Sequence, residues 1–269
     1  MDDDAGRAYL ARLGLDDVRV TPPHVPQLRT LHRAHLEQVP FENLSIHLGE
    51  PIALDEPALL DKLVTRRRGG FCYELNGAFA GLLEWLGFAV TRASAAVYGD
   101  GRLGPPFDHL ALVVQVPGDG TSWLADVGFG AHSSDPLRLE LDVEQPDPGG
   151  VFLLRAADDG TGDVVVHQDG SPVYRLEPRA RSLADFAPTC WWQQTSPASH
   201  FTQSTICSRL TADGRVSVSG RTLIRTVDGV REEREIADDG ELLAAYRDEL
   251  GVVLDRVPEV SPGRASPAP

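Results

Sequence analysis

A chain of 269 residues with a formal net charge of −15, from 40 acidic against 25 Lys and Arg side chains, lacks the basic face that phosphate neutralisation demands, which argues against nucleic acid as a partner. A small anionic ligand is still compatible, because it needs only a nest of N–H groups or one or two cations. The 42% hydrophobic, 24% charged composition is that of an ordinary soluble protein, long enough for one large domain or two or three units sharing cores. No apolar run reaches the roughly 20 residues that span a bilayer. The acidic start MDDDAGRAYL is unlike the basic opening of a signal peptide, so the expected location is cytoplasmic, without membrane association. Cys72, Cys190 and Cys207 are an odd set without paired spacing, which points to reduced thiols. Neither CxxC nor HExxH occurs, no metal is expected, and His32 and His35 read as helix-face residues.

In chain order, residues 1–87 read as helical. Tyr9, Leu10 and Leu13 share a face, and Thr21 before Pro22 and Pro23 is the expected cap of a second helix carrying Leu28, Leu31, His35 and Leu36 up to Pro40. Asp55 and Pro57 open a third helix with Leu59, Leu60, Leu63 and Val64 as its buried stripe. The period then changes. FAVTRASAAVYG, DHLALVVQV, SWLADVGFG, VFLLRAA, DVVVHQ and VYRLEP are short, β-branched or alternating, and separated by Gly, Asp and Pro, as in an antiparallel sheet or small barrel over about 88–178. Further strands are expected between Phe201 and Arg234, then a last helix capped by Asp238 with Leu242, Leu243, Tyr246 and Leu250 inward. The run GDGRLG matches GxGxxG, but Pro105 and Pro106 follow where a helix would have to start, so it reads as a hairpin loop.

The segment RRRGGFCYELNGAF (66–79) poses the chemical question. Phe71, Leu75, Ala78, Phe79, Leu82 and Leu86 fall at helical spacing, with Cys72 at the edge of that face, in the first turn and directly after a glycine-entered start. Gly69 and Gly70 would let the chain turn tightly and leave space around the thiol. Unpaired N–H groups of a first turn favour thiolate. Position alone leaves two readings equally open, a nucleophile or a small buried hydrophobe. A thiol nucleophile needs a base, and the base an orienting group. His109 opens one apolar strand and Asp126 ends the next. A turn centred on Pro117-Gly118 sets them directly opposite, whereas pairing Val116 with Trp123 sets Asp126 against Val113. Either register keeps both side chains on one face, so spacing permits the pair without proving it. Cys190 and Cys207 lack glycine entry and a helix start, and read as packing residues.

The ordered series VPFENLSIH (39–47), RRGGFCYELNGAF (67–79), DHLALVV (108–114), DVGFG (126–130) and SPASHF (196–201) resembles the arylamine N-acetyltransferase family. The resemblance implies an α+β fold with a cysteine-protease-like core. Its expected parts are a helical bundle (1–87) carrying the nucleophile, an antiparallel β-barrel (88–195) carrying His and Asp, an α/β lid (196–260) and a disordered tail (261–269). It implies Cys72 as the acetylated nucleophile, His109 as its base and Asp126 as the orienting acid. Gly128 and Gly130 match the loop beside the coenzyme A pyrophosphate, and Phe129 and Phe201 match aromatics of the acceptor pocket. The implied activity is acetyl transfer from acetyl-CoA, without a metal, to an arylamine or hydrazine by a ping-pong route. Arg68 and Glu42 are expected to form a buried structural pair. Asp108 departs from relatives that carry a neutral hydroxyl residue beside the histidine. Ansamycin-type amide synthases share fold and triad and stay open as an alternative. A cysteine hydrolase or transglutaminase-like enzyme and a non-catalytic small-molecule binder are further readings. Oligomeric state is not legible.

Overall fold

Helix boundaries in the first part of the chain follow from side chains that take up the free N–H groups of a first turn. In the computed structural model, which describes residues 1–16 and 21–260, helix α1 (Asp3–Arg12) is capped by Asp2, whose carboxylate accepts from Ala5 N at 2.9 Å. Helix α2 (Val25–Gln38) starts later than the sequence suggests, and its cap is His24, which accepts from Gln27 N at 3.1 Å, in place of Thr21. Pro22 and Pro23 each keep the residue before them out of the α region, so helical geometry is reached only at Val25. A short strand β1 (Phe41–Glu42) and helix α3 (Leu44–Leu48) follow. Asp55 caps α4 (Glu56–Leu60) as expected, accepting from Ala58 N at 3.0 Å. Helix α5 (Cys72–Trp85) is buried all round from Cys72 to Leu83 and so has no solvent face opposite its expected apolar stripe.

The central sheet is antiparallel and nearly closed into a barrel. Its strands are β2 (Ala89–Gly99), β3 (Arg102–Leu103), β4 (His109–Gln115), β5 (Ser122–Ala125), β6 (Leu137–Arg138), β7 (Glu144–Asp147), β8 (Gly150–Ala156), β9 (Val164–Gln168) and β10 (Ser171–Glu177). The order is β6-β5-β4-β2-β10-β9-β8-β7, with β3 paired to β2. The two ends are bridged by one side-chain amide: Gln145 accepts from Arg138 N at 2.7 Å and donates to Arg138 O at 2.9 Å. Residues 99–104 form the expected hairpin, Gly99 pairing Arg102 across Asp100 and Gly101, both at positive φ.

Strand alternation sorts the side chains of β4 onto two faces. Leu112 and Val114 point outward and pack with Leu75, Phe79 and Leu82 of α5 and Leu28 and Leu31 of α2, while Ala111 and Val113 join the barrel interior with Phe152, Leu154 and Tyr174. Helix α6 (Ala187–Thr195), which the sequence reading leaves out, and the single turn α7 (His200–Gln203) cover the end of the barrel where β4 begins. Beyond them β11 (Ile206–Thr211), β12 (Gly214–Ser219), β13 (Thr222–Val227) and β14 (Val230–Glu235) form a second antiparallel sheet. Strand β1 completes it by pairing with β11. Helix α8 (Asp239–Leu250) packs on this sheet through Leu242, Ala245, Tyr246 and Leu250, capped by Asp238 as expected. Leu243 is only half-buried, and Ala245 takes the inward position. The tail expected to be disordered lies outside the described residues.

The glycine pair before Cys72 acts differently from the expectation. Neither Gly69 nor Gly70 has a positive φ; the left-handed residue is Arg67, at φ 51. A Cβ on Gly69 would lie 2.0 Å from Pro40 O, so the glycine lets β1 run against the approach to α5, where Glu42 N donates to Gly70 O at 2.8 Å. Arg68 is thereby brought onto Glu42. Its guanidinium lies 2.8 Å from the fully buried carboxylate, whose other oxygen accepts from Leu44 N at 2.7 Å. Glu42→Ala leaves this guanidinium buried without its main counter-charge, with only Glu50 near it. It should lower the unfolding free energy by about 3–5 kcal/mol in urea titrations followed by tryptophan fluorescence, and a loss below about 1 kcal/mol would contradict the pair's structural role.

Candidate active site

Phe71 is extended and Cys72 is the first helical residue of α5. Glu74 fixes this start by accepting from Phe71 N at 3.3 Å, and is itself held by Lys62 at 2.6 Å in a buried ion pair. Tyr73 donates to the carbonyls of Phe107 and Asp108 at 2.9 and 3.0 Å, pinning the start of β4 against the helix. The Cys72 sulfur lies 4.0 Å from Asp108 O and is almost wholly buried. Burial pushes the Cys72 thiol well up, and the Leu110 N–H, which pulls the other way, does not offset it. Burial therefore opposes the thiolate that the helix start alone favours.

His109 lines the same pocket as the sulfur. Strands β4 and β5 pair Leu112 with Ala125 and Gln115 with Ser122. This register lies between the two that the sequence allows: continued past β5 it sets Asp126 against Ala111, one diagonal step from His109 on the same face. The diagonal is short enough for His109 Nε2 to meet Asp126 Oδ2 at 2.7 Å, both side chains buried. Nε2 carries the proton to the carboxylate, which leaves Nδ1 for the pocket side.

Asp126 is nearly inaccessible, and burial alone would raise its pKa. The His109 imidazole beside it and hydrogen bonds from His109 and Asn76 outweigh that and hold the carboxyl well below the usual range. Asn76 Nδ2 donates to Asp126 Oδ1 at 2.8 Å and to Leu110 O at 2.6 Å, while its Oδ1 accepts from Val127 N at 3.0 Å. Gly128 N donates to the same Oδ1 at 3.1 Å, the third donor to the carboxylate after His109 and Asn76. The Asp126 N–H donates to His32 Nε2 at 3.2 Å, and His32 Nδ1 donates to Ser134 O at 3.1 Å, which sets the neutral tautomer of that ring. The expected helix-face residue His32 is thus a core hydrogen-bonding residue beside the acid. Its neighbour His35, also fully buried, bonds Tyr9 at 2.9 Å. Asn76 and His32 were not singled out as site residues; the available signal was a polar side chain on an otherwise apolar helical stripe, one turn past Cys72 in the case of Asn76.

A pocket of about 180 Å³ opens at these groups, lined by Cys72, Asp108, His109 and Gln193 with Phe41, Phe129 and Phe201 as aromatic walls. Phe129 stands edge-on to His109, ring centres 5.2 Å apart. Gly128 also lines it, and a Cβ there would stand 2.8 Å from Cys72 Cα. Only glycine lets the 126–130 loop come this close to the helix start. Gly130, at φ 94, lies on the other side of Phe129 in a larger groove of about 880 Å³ between the barrel and the second sheet. Phe41 and Phe129 line both spaces, so the groove and the small pocket adjoin there. Cys190 and Cys207 lie buried in α6 and β11; Cys190 packs with Phe71, Cys72 and Tyr73, but neither lines the pocket.

The sequence profile of the N-acetyltransferase family matches residues 24–259. The arylamine N-acetyltransferase of Mycolicibacterium smegmatis is 38% identical over 255 residues, 91% of each chain. The chain belongs to the arylamine N-acetyltransferase family. Among solved structures, the Salmonella typhimurium arylamine N-acetyltransferase superposes with a TM-score of 0.85 at 31% identity, over 96% of this chain and 94% of that one. The Mycobacterium marinum arylamine N-acetyltransferase in complex with CoA gives 0.82 at 31% identity, over 91% and 92%. In this arylamine N-acetyltransferase family member the motifs that carry the resemblance converge in space. Asn43 of the first binds the last, donating to Phe201 O at 3.0 Å and Ser204 O at 2.7 Å, and so holds Phe201 at the pocket.

The barrel interior behind the site carries a further histidine. His132 touches Phe129, Phe152 and Tyr174, and burial lowers its pKa from the ordinary 6.5 to about 4. A folded-state value below the unfolded one means that the unfolded chain binds more protons between the two. The contribution is complete above pH 6.5 and drains away as pH falls towards 4, by on the order of 3 kcal/mol. Urea unfolding at pH 7.5, 6, 5 and 4.5 should show a decline to which the buried His32 and His35 also contribute, and His132→Asn should make it shallower; an equal slope in the variant would remove His132 from the account.

Proposed function

We propose that this chain transfers an acetyl group from acetyl-CoA to an arylamine or hydrazine through an acetyl-Cys72 intermediate. The observation that carries this reading is the buried His109–Asp126 hydrogen bond in one aromatic pocket with the Cys72 sulfur. His109 Nδ1 accepts the thiol proton as the Cys72 sulfur adds to the thioester carbonyl. Asp126 stabilises the imidazolium and keeps Nε2–H directed away from the sulfur. His109 then returns the proton to the departing coenzyme thiol, and the acetyl group remains on Cys72. In the second half the amine nitrogen adds to the acetyl carbon, its N–H proton passes to His109 Nδ1, and the Cys72 sulfur leaves and regains that proton. One pocket serves both substrates in turn, so the kinetics are ping-pong. Asn76, which holds Asp126 and the β4 backbone together, is a positioning residue.

The larger groove suits the donor's anionic end. Arg33, Arg215 and Arg231 line it, and Arg215 meets only the Ser208 hydroxyl, at 3.2 Å, with no carboxylate paired to it among the described residues. Gly130 lines the groove and Gly128 the pocket, on either side of Phe129, where the pyrophosphate arm would pass. The small pocket has room for one substituted aromatic ring, as an arylamine acceptor requires. The three segments divide the work: 1–87 brings the thiol, 88–195 the base and acid, and 196–260 closes the groove.

Incubation with acetyl-CoA in the absence of acceptor should add one acetyl group to the peptide containing Cys72, read by peptide mass spectrometry. Label on another residue, or none, defeats the intermediate. Asp126→Asn should keep the fold and lower kcat by roughly 10³–10⁴, because the amide permits the wrong imidazole tautomer. Initial rates at several acetyl-CoA and arylamine concentrations should give parallel double-reciprocal lines, whereas intersecting lines would mean a ternary complex.

A further inference from the structure

Asp108 is the one carboxylate that lines the small pocket, beside the thiol and the imidazole and between aromatic walls. It is held in place from outside. Gln193 Nε2 donates to Asp108 Oδ1 at 2.6 Å, and Gln193 Oε1 takes the hydroxyl proton of the buried Ser199, which fixes the amide's orientation. Gly104 leaves room for the other oxygen, since a Cβ there would stand 2.3 Å from Asp108 Oδ2. The chain builds a position for this carboxylate but supplies no cation to it. Among the described residues no Lys or Arg pairs with Asp108, His109 is committed to Asp126, and His200, at the pocket mouth, makes no ion pair with it. Burial accordingly raises its pKa. The Val97 backbone N–H and Gln193 are the donors that hold it, and the lone pairs they leave are open to whatever enters the pocket.

We infer that Asp108 selects the charge of the acceptor, favouring amines that carry a second, positively charged group and disfavouring those that carry a carboxylate. This rests on the acyl-transfer reading of the same pocket. One substituted ring fills about 180 Å³, so any charged substituent lies within Coulombic reach of the carboxylate. Phe41, Phe129 and Phe201 limit screening by water, which strengthens both the attraction and the repulsion. A planar amidinium suits a carboxylate best, because parallel N–H groups can meet its oxygens. The anionic donor does not contradict this, since its charges have the Arg-lined groove on the far side of Phe129.

The test uses three acceptors of matched shape, 4-aminobenzamidine, 4-aminobenzamide and 4-aminobenzoate, with the full-length wild type and Asp108→Asn. The kcat/KM ratio of the amidine to the benzoate should fall about tenfold in the variant, with the amide changing least. Intrinsic differences in amine reactivity cancel in this comparison of ratios. A ratio that moves less than about threefold overturns the inference. Should the variant not fold, the wild type alone decides. Benzamidine should shield Cys72 from iodoacetamide at about one-tenth the concentration of benzoate, and equal or reversed shielding overturns the inference. Failure of the wild type to acetylate any of the three defeats the acyl-transfer reading, while the shielding measurement still judges Asp108.

Discussion

The site depends on burying one negative charge. Asp126 is about 1% exposed, and a carboxylate in that position is tolerable only if donors replace the water it has lost. Three side-chain or backbone donors do so, from β4 (His109), α5 (Asn76) and its own loop (Gly128), while its backbone N–H is taken by His32 of α2. Satisfying one charge therefore ties two helices, a strand and a loop to common coordinates. The Gly128 donor lies against the start of α5 at Cys72, so the contacts that stabilise the acid also set the thiol's surroundings. Structural need and proposed chemistry share one set of bonds.

That arrangement explains what the sequence made legible. Apolar spacing and caps at Asp55 and Asp238 are local properties, and the helices they predict are present. Cys72, His109 and Asp126 could be picked out because each sits at a recognisable boundary of an element. Register was beyond reach: the β4–β5 connection contains Gly118 and Gly120, both at positive φ, and glycines accommodate several loop lengths without distinguishing among them. The burial of the thiol was equally hidden, because the favourable helix start is local whereas the walls that oppose it come from elsewhere in the chain. Helix α6 was missed since PTCWWQQT has no clean apolar stripe; its entry is a turn in which Ser182 N donates to Asp185.

Helix α6 matters beyond its own stability. Through Gln193 it reaches Asp108, and the following segment supplies Ser199, which orients Gln193, and Phe201, which walls the pocket. Asn43 reaches back from the N-terminal part to fix the Phe201 carbonyl. The acceptor side of the pocket is thus assembled from segments more than 150 residues apart, which is why sequence spacing says nothing of its shape.

A chain of formal charge −15 is a poor partner for a polyanionic donor unless its charges are sorted in space. The structure sorts them. Arg33, Arg215 and Arg231 line the large groove beside Asp213 and Asp228, with Arg33 and Arg231 paired to Glu37 and Glu233 and Arg215 left to the groove, and the carboxylate of Asp108 faces the small pocket, with Phe41 and Phe129 between. An anion entering from the groove can meet the Arg215 guanidinium, which has no carboxylate partner among the described residues, before its neutral acyl end passes the aromatic wall. A molecule entering the pocket meets a negative charge and apolar faces. Opposite local charges on the two sides of one thiol let a single buried sulfur receive from an anionic donor and deliver to an amine, without either substrate having to suit the whole field of the protein.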